Sequence, residues 1–306
     1  MNTPASSSAP ITVAYVPVTQ ILPLCVACEK GLFAREGLTI HLLPLPDPSN
    51  VLDALVSGKA QAGSGPALMS LVTLQQVPES FKILGLAAGS STRAESFIQD
   101  AFLTLRESPL HTLADLRGHK LGITPGIQWQ ALTRYILKKN GLAPDHDVQV
   151  EERPLNQHIP ALLRGEVDAT FSLEPVGAVG EATGRVIRKE ANISSRYVVD
   201  PFPGGAFLVS QALINDHPHE AALFAHVLQK TMIKVQADFP MYKPLLARDL
   251  NLDSSQLEHV PPQLYLSADT PEAIGTYQKL ADIFGAEGLL APLVDVHTVL
   301  YAPTRE

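Results

Sequence analysis

Two stretches far apart in the chain close in the same way. Leu55-Val56-Ser57-Gly58-Lys59-Ala60-Gln61-Ala62 and Leu163-Arg164-Gly165-Glu166-Val167-Asp168-Ala169 each read as a helix end, a glycine stop, a short strand and a polar turn. The elements leading into them also recur in the same order, and that order counts for more than the letters. In the first run, residues 11–16 predict a strand that Pro17 stops, and Ile21, Leu24, Cys25, Cys28 and Leu32 follow at helical spacing. A strand over 39–43, a helix over 51–57 and a strand over 60–62 lead to Gly63-Ser64-Gly65, read as a binding turn, and to a helix opened by Pro66. In the second run, 120–123 is a strand, Thr124-Pro125-Gly126 a turn, and Trp129, Leu132 and Ile136 mark a helix that Asn140-Gly141 ends. A strand over 148–151, a helix capped by Asn156 and a strand over 167–171 complete it.

Strands alternating with helices through short Gly/Pro turns imply βαβ units and mainly parallel sheets. A chain of 306 residues is long for one core. The fold class expected is therefore α/β, with two doubly wound Rossmann-like lobes and a ligand cleft between them. Crossings between lobes are placed at the extended segments 102–106 and 205–210. The expected division is a flexible tail over 1–10, a discontinuous first lobe over 11–101 and 207–306, and a second lobe over 102–206. Everything after Ser210 reads as helical, with helices opened by Asp216-His217-Pro218 and by Thr270-Pro271-Glu272.

Several functions are disfavoured at this stage. A net charge of −8 with basic residues at most in pairs does not make a nucleic-acid surface. No apolar run is long enough to span a membrane. No G-x-S-x-G elbow, Walker loop or H-E-x-x-H occurs. Cys25 and Cys28 spell C-x-x-C, but they fall inside an apolar helix with no second pair, and read as small core residues rather than a redox or metal site. The ten histidines are scattered, so no metal site and no cofactor are expected.

Four phrases carry a resemblance: CVACEKGLFAREGLTI (25–40), ALVSGKAQAGSGPAL (54–68), LADLRGHKLGI (113–123) and LLRGEVDATFSLEP (162–175). In their order and spacing they resemble the periplasmic solute-binding proteins of the nitrate, sulfonate, taurine and thiamine-precursor transporter group. The likeness spans roughly 11–210; Gln61 stands where that group commonly has Asp. The resemblance implies a type II periplasmic-binding-protein fold and a monomer that catalyses nothing. It implies a small organic anion or heteroaromatic ligand, of sulfonate, carboxylate or pyrimidine-like kind, and docking onto an ABC permease in the membrane. It also implies a periplasmic location, although MNTPASSSAP lacks a basic start followed by an apolar run and so is not a secretory signal; a cytoplasmic location is the alternative. Enzymes of the same fold, aryl sulfinate desulfinases and fungal-type pyrimidine synthases, are the competing class, and a ligand-sensing module is a third. The first would place a Cys, and the second a His, in the loop that here reads Pro17-Val18-Thr19-Gln20.

A cleft in such a fold is built from loops at the carboxyl ends of strands, where helix N-termini present free N–H groups. Those loops are 17–20, 63–66, 124–128 and 172–174. The candidate ligand-binding residues are accordingly Val18, Thr19, Gln20, Ser64, Gly65, Thr124, Gly126, Gln128, Trp129 and Glu174. Gly63, Gly65 and Gly126 are expected to let backbone approach a ligand. Trp129 reads equally as a stacking wall or as a core anchor on the Leu132/Ile136 stripe. Glu174 reads as a pocket carboxylate or as a surface or lobe-closing ion pair, and Arg93 as an anion contact or an exposed loop arginine.

Overall fold

The computed structural model describes residues 9–291, 294–301 and 303. The tail expected over 1–10 thus lies outside the described residues, apart from the exposed Ala9 and Pro10. Strands β1 (Ile11–Tyr15), β2 (Ile40–Pro44), β3 (Ala62–Pro66), β4 (Phe81–Ser90), β10 (Phe202–Ser210) and β11 (Leu264–Ser267) form a six-stranded sheet in the order β11-β4-β10-β3-β1-β2. Strands β5 (Asp100–Leu105), β6 (Lys120–Ile123), β7 (Gln149–Glu152), β8 (Ala169–Leu173) and β9 (Val186–Ala191) form a second sheet, β7-β6-β8-β5-β9.

Both sheets are mixed, where mainly parallel ones were expected. The βαβ units pair in parallel, β1 with β2 and β3, and β6 with β7 and β8. The strands that the chain enters on arriving from the other sheet run the opposite way: β10 is antiparallel to β3 and β4, and β5 to β8 and β9. The segments 102–106 and 205–210 therefore belong to these strands or their ends, and the connections between sheets are 91–99 and 192–201. These two connectors are tied to each other. Asp200 accepts from the Thr92 N–H and hydroxyl, Asn192 Nδ2 donates to the Phe97 carbonyl at 2.9 Å, and the Ser90 and Ser195 hydroxyls lie 2.5 Å apart.

The helices needed below are α1 (Leu22–Glu29), α2 (Pro48–Val56), α3 (Ala67–Gln76), α4 (Ile127–Lys139), α5 (Leu155–Arg164), α6 (Val176–Ala182), α7 (Ile193–Tyr197), α8 (Pro218–Ala237), α9 (Ser254–His259) and α10 (Pro271–Ala286). Alternation along β10 shows why the first sheet is covered on both faces. Phe207 and Val209 pack with α1 and α8, while Ala206 and Leu208 pack with α3 and α10. Phe33 stacks on Phe224 with ring centroids 5.2 Å apart, and the Tyr277 hydroxyl donates to the Gly85 carbonyl at 3.3 Å. The second of these cores continues without a break into Leu121, Ile123, Trp129, Leu132 and Ile136 around the second sheet. Tyr135 of α4 meets Phe284 of α10 at 5.8 Å, and Lys138 pairs with Glu287 at 2.5 Å, so the two halves are packed together along this side.

The region after Ser210 is not wholly helical, because β11 returns to the edge of the first sheet beside β4. Strands β4 and β9 were also not anticipated.

Candidate functional site

The carboxyl ends of the parallel strands supply the polar groups. After β1 the chain enters a single 3-10 turn, Thr19–Ile21, that buries Val18 and Thr19. After β6, Thr124 is buried before the turn at Pro125-Gly126. The two threonines hold corresponding places in the two halves. The Oγ1 atom of each is buried with no hydrogen-bond partner, which is costly unless a further group meets it. Gln20 Nε2 donates to Ser64 Oγ at 2.7 Å, joining the loop after β1 to the interior of β3.

Gln128 links the halves. It stands in the first turn of α4, where Gly126 adopts φ +107° and its N–H donates to Glu152 Oε1 at 3.1 Å. From there the Gln128 side chain reaches elements of the other sheet. Its Oε1 accepts from the Leu68 N–H at 2.9 Å, and its Nε2 donates to the Gly204 carbonyl at 3.0 Å. Leu68 is the second residue of α3, whose first N–H groups have no partner inside the helix. Gln128 is 5% exposed, so both of its bonds are made out of water.

Gln99 completes this cluster. Its carboxamide lies against Gly204, in the space a Cβ there would occupy. Gln99 is 2% exposed and its Oε1 has no hydrogen-bond partner. Sequence reasoning missed Gln99, Leu68 and Gly204. Only Gly204-Gly205, a glycine pair inside an apolar strand, signalled a close approach there.

Other expected residues lie elsewhere. Gly63-Ser64-Gly65 is the buried interior of β3 rather than a turn. Space at Gly63 is tight against the Ala14 carbonyl, Leu55 and Val51, whereas a Cβ at Gly65 would make only ordinary contact with Leu52 and Leu208. Gly63 thus fits the sheet closely to α2. Trp129 is 3% exposed within the shared apolar core, the anchor reading of its stripe. Glu174, 1% exposed, is committed inside its own half: Arg188 Nη2 donates to its Oε1 at 2.8 Å and the Ala178 N–H to its Oε2 at 3.2 Å. Burial raises its pKa and Arg188 opposes the rise. Arg188 Nη2 also lies 3.5 Å from the carbonyl of His259 in α9, so this ion pair reaches the other half. Arg93 is an exposed arginine beside Asp200, 3.9 Å away.

Cys25 and Cys28 are both free. Burial, and a hydrogen bond to Asp249, push the Cys25 thiol well above its ordinary range; burial takes Cys28 up to about 11. Neither is a ready thiolate. Among the described residues no group of three His, Cys, Asp or Glu is arranged to hold a metal, and no helix is long and apolar enough to cross a membrane. A groove of about 570 Å³ lies between α4 and α10 and is lined by Tyr135, Lys138, Lys139, Asp282, Ile283 and Glu287. It shares no residue with the cluster at Gln128, which the buried polar groups make the better candidate.

Three comparisons place the chain among known proteins. It is 26% identical over 233 residues to the nitrate/nitrite binding protein NrtA of a Nostoc species, a match covering 72% of this chain and 52% of NrtA. The chain thus spans about half the length of that relative. It is 24% identical over 219 residues to the 4-amino-5-hydroxymethyl-2-methylpyrimidine phosphate synthase of Uromyces fabae, covering 68% of this chain and 61% of the synthase. Its fold matches the alkanesulfonate-binding protein SsuA of Xanthomonas axonopodis pv. citri, solved bound to MOPS, with a TM-score of 0.77 and 20% identity over 97% of this chain and 99% of that one. The NMT1-like family matches residues 5–236, most of the chain. This α/β protein of two mixed sheets therefore belongs to the NMT1-like family.

Proposed function

We propose that the chain is the substrate-binding component of an ABC importer. It holds a small organic anion or heteroaromatic compound between two lobes, one built on each sheet. The observation that carries this reading is the buried bridge of Gln128 to Leu68 and Gly204; in addition, Thr19 and Thr124, in corresponding loops of the two halves, each bury an unpartnered hydroxyl. Polar groups that converge from two halves on one buried place suit a ligand that closes them. The connectors 91–99 and 192–201 serve as the hinge, with the crossing a few residues before the lobe boundaries at 101/102 and 206/207. The similarity to NrtA and SsuA supports an extracytoplasmic location and a membrane permease as partner.

A ligand that binds only the folded chain stabilises it by RT ln(1 + [L]/Kd), about 2.7 kcal/mol at a hundredfold excess over Kd. A thermal-shift screen of sulfonates, nitrate, aromatic carboxylates, amides and pyrimidines is therefore expected to return compounds whose shift grows with the logarithm of concentration. A screen in which no class shifts the melting temperature would sink the binding reading.

The similarity to the pyrimidine phosphate synthase keeps an enzyme as the second reading. Against it, the loop after β1 offers Thr19 and Gln20 rather than the Cys or His expected of the related enzymes, and burial raises the pKa of both thiols. Cys25→Ser/Cys28→Ser is expected to bind the same compounds with affinity unchanged within about twofold, since neither thiol touches the cluster. Consumption of a bound compound by the wild type, lost in this double variant, would favour the enzyme.

A further inference from the structure

The bridge at Gln128 has a polarity that narrows what the site takes. The two groups it satisfies belong to one half of the molecule and the carboxamide to the other. Separation of the halves therefore breaks both bonds together. It leaves a donor, the Leu68 N–H at the start of α3, next to an acceptor, the Gly204 carbonyl on β10. Neither backbone group can reverse its role.

A tetrahedral or planar oxyanion placed there accepts from Leu68 but sets its negative oxygens against the Gly204 carbonyl. A helix N-terminus alone favours an anion; this one has a carbonyl beside it. The partly buried arginine of the other half, Arg188, is bonded to Glu174 and Glu181. The Gln99 carboxamide lies against Gly204, 2% exposed, with its oxygen unpartnered. That is a second buried polar atom calling for an N–H donor at this place.

Resting on the binding reading above, we infer that this subsite takes a neutral carboxamide or urea group of the ligand, and that Gln128 is its intramolecular stand-in. The ligand's carbonyl accepts from the Leu68 N–H. Its N–H2 donates to the Gly204 carbonyl, within reach of the Gln99 oxygen. Gln128 thus competes with the ligand and sets a threshold that a group of the wrong polarity does not cross.

Chemical rescue tests this. Gln128→Ala leaves a hole of the size and polarity of the lost carboxamide. It is expected to melt below the wild type and to regain stability with acetamide, at a half-saturating concentration at least about tenfold below that of acetate or methanesulfonate. Gln128→Leu fills the same hole without hydrogen bonds and should not respond to acetamide. If Gln128→Ala does not fold, titration of acetamide into the 15N-labelled wild type, followed at the Leu68 amide, carries the same comparison. Equal or better rescue by the anions, rescue by nothing, or an unmoved Leu68 amide overturns the assignment. A sulfonate that stabilises the wild type while amides fail in Gln128→Ala rejects this inference and leaves the binding reading standing. No stabilising compound of any class rejects that reading itself.

Discussion

Arg188→Met is expected to cost about 3–5 kcal/mol of folding stability at neutral pH, the cost of leaving one member of a buried ion pair without its partner. Arg188 is 14% exposed and donates to Glu174 through both Nε and Nη2, at 3.2 and 2.8 Å, while its Nη1 lies 2.5 Å from Glu181. Met keeps much of the aliphatic volume and removes only the charge and the donors. Glu174, 1% exposed, would retain the Ala178 N–H alone. Its pKa, already raised by burial, would rise further once the guanidinium that opposes the rise is gone. The deficit of the variant should therefore shrink as pH falls and Glu174 takes up a proton. Replacing both partners, as Glu174→Met/Arg188→Met, removes the stranded charge and should recover more than half of the loss. Urea denaturation of the wild type, both single variants and the double variant measures the cycle. A loss below about 1 kcal/mol in Arg188→Met, or strict additivity in the double variant, would show that the pair is solvated and not the buried bridge described here.

The parts of this molecule that could be read from its letters are those set by local chemistry. Gly58 and Gly165, both with positive φ, end helices where the repeated phrase placed them, and the Trp129-Leu132-Ile136 stripe is one buried face of α4. Strand direction could not be read. Whether a sheet is parallel depends on which end the chain enters after a crossing, and no local signal marks that for β5 or β10. Strand β11 escaped notice because LYLS is short and is specified by β4 beside it rather than by its own pattern. The same limit applies to the site. Thr19, Thr124 and Gln128 could be singled out because they follow strands. Gln99 could not, since its place beside Gly204 depends on how the two connectors bring the halves together. Gly63 is a poor guide because glycine admits a neighbouring backbone or side chain as readily as a ligand, and here it admits Ala14, Val51 and Leu55.

Two buried groups at the joints of the second half should give stability profiles of opposite slope, which nearly cancel in the wild type. Asp100 opens β5 and accepts from the Ser194 N–H at the start of α7, at 3.2 Å, while its Oδ2 has no partner. Burial pushes it up to about 6, against the pull of Ser194 and Ile193, from about 3.9 in an unfolded chain. Between these values the folded protein binds more protons than the unfolded chain, so Asp100 makes stability fall as pH rises from about 4 to about 6. His158 of α5 is fully buried, with Nε2 2.9 Å from the Arg153 carbonyl and Nδ1 2.6 Å from the Ser172 hydroxyl. Burial holds it down at about 4, against about 6.5 when unfolded. Here the unfolded chain binds more protons, so His158 makes stability rise with pH over nearly the same interval and loses its contribution as pH falls through 4. Each change amounts to about 3 kcal/mol, from a shift of roughly two units at 1.36 kcal/mol each. Asp100→Asn should therefore gain about 3 kcal/mol relative to the wild type between pH 4 and pH 6. His158→Gln should lose about the same amount relative to the wild type over pH 4 to 6.5. Denaturant midpoints taken at half-unit steps of pH distinguish the two, and profiles of both variants running parallel to the wild type would remove both groups from the account. The sign is the informative part: a general loss of packing lowers a profile without tilting it, whereas loss of these two titrations tilts it in opposite directions.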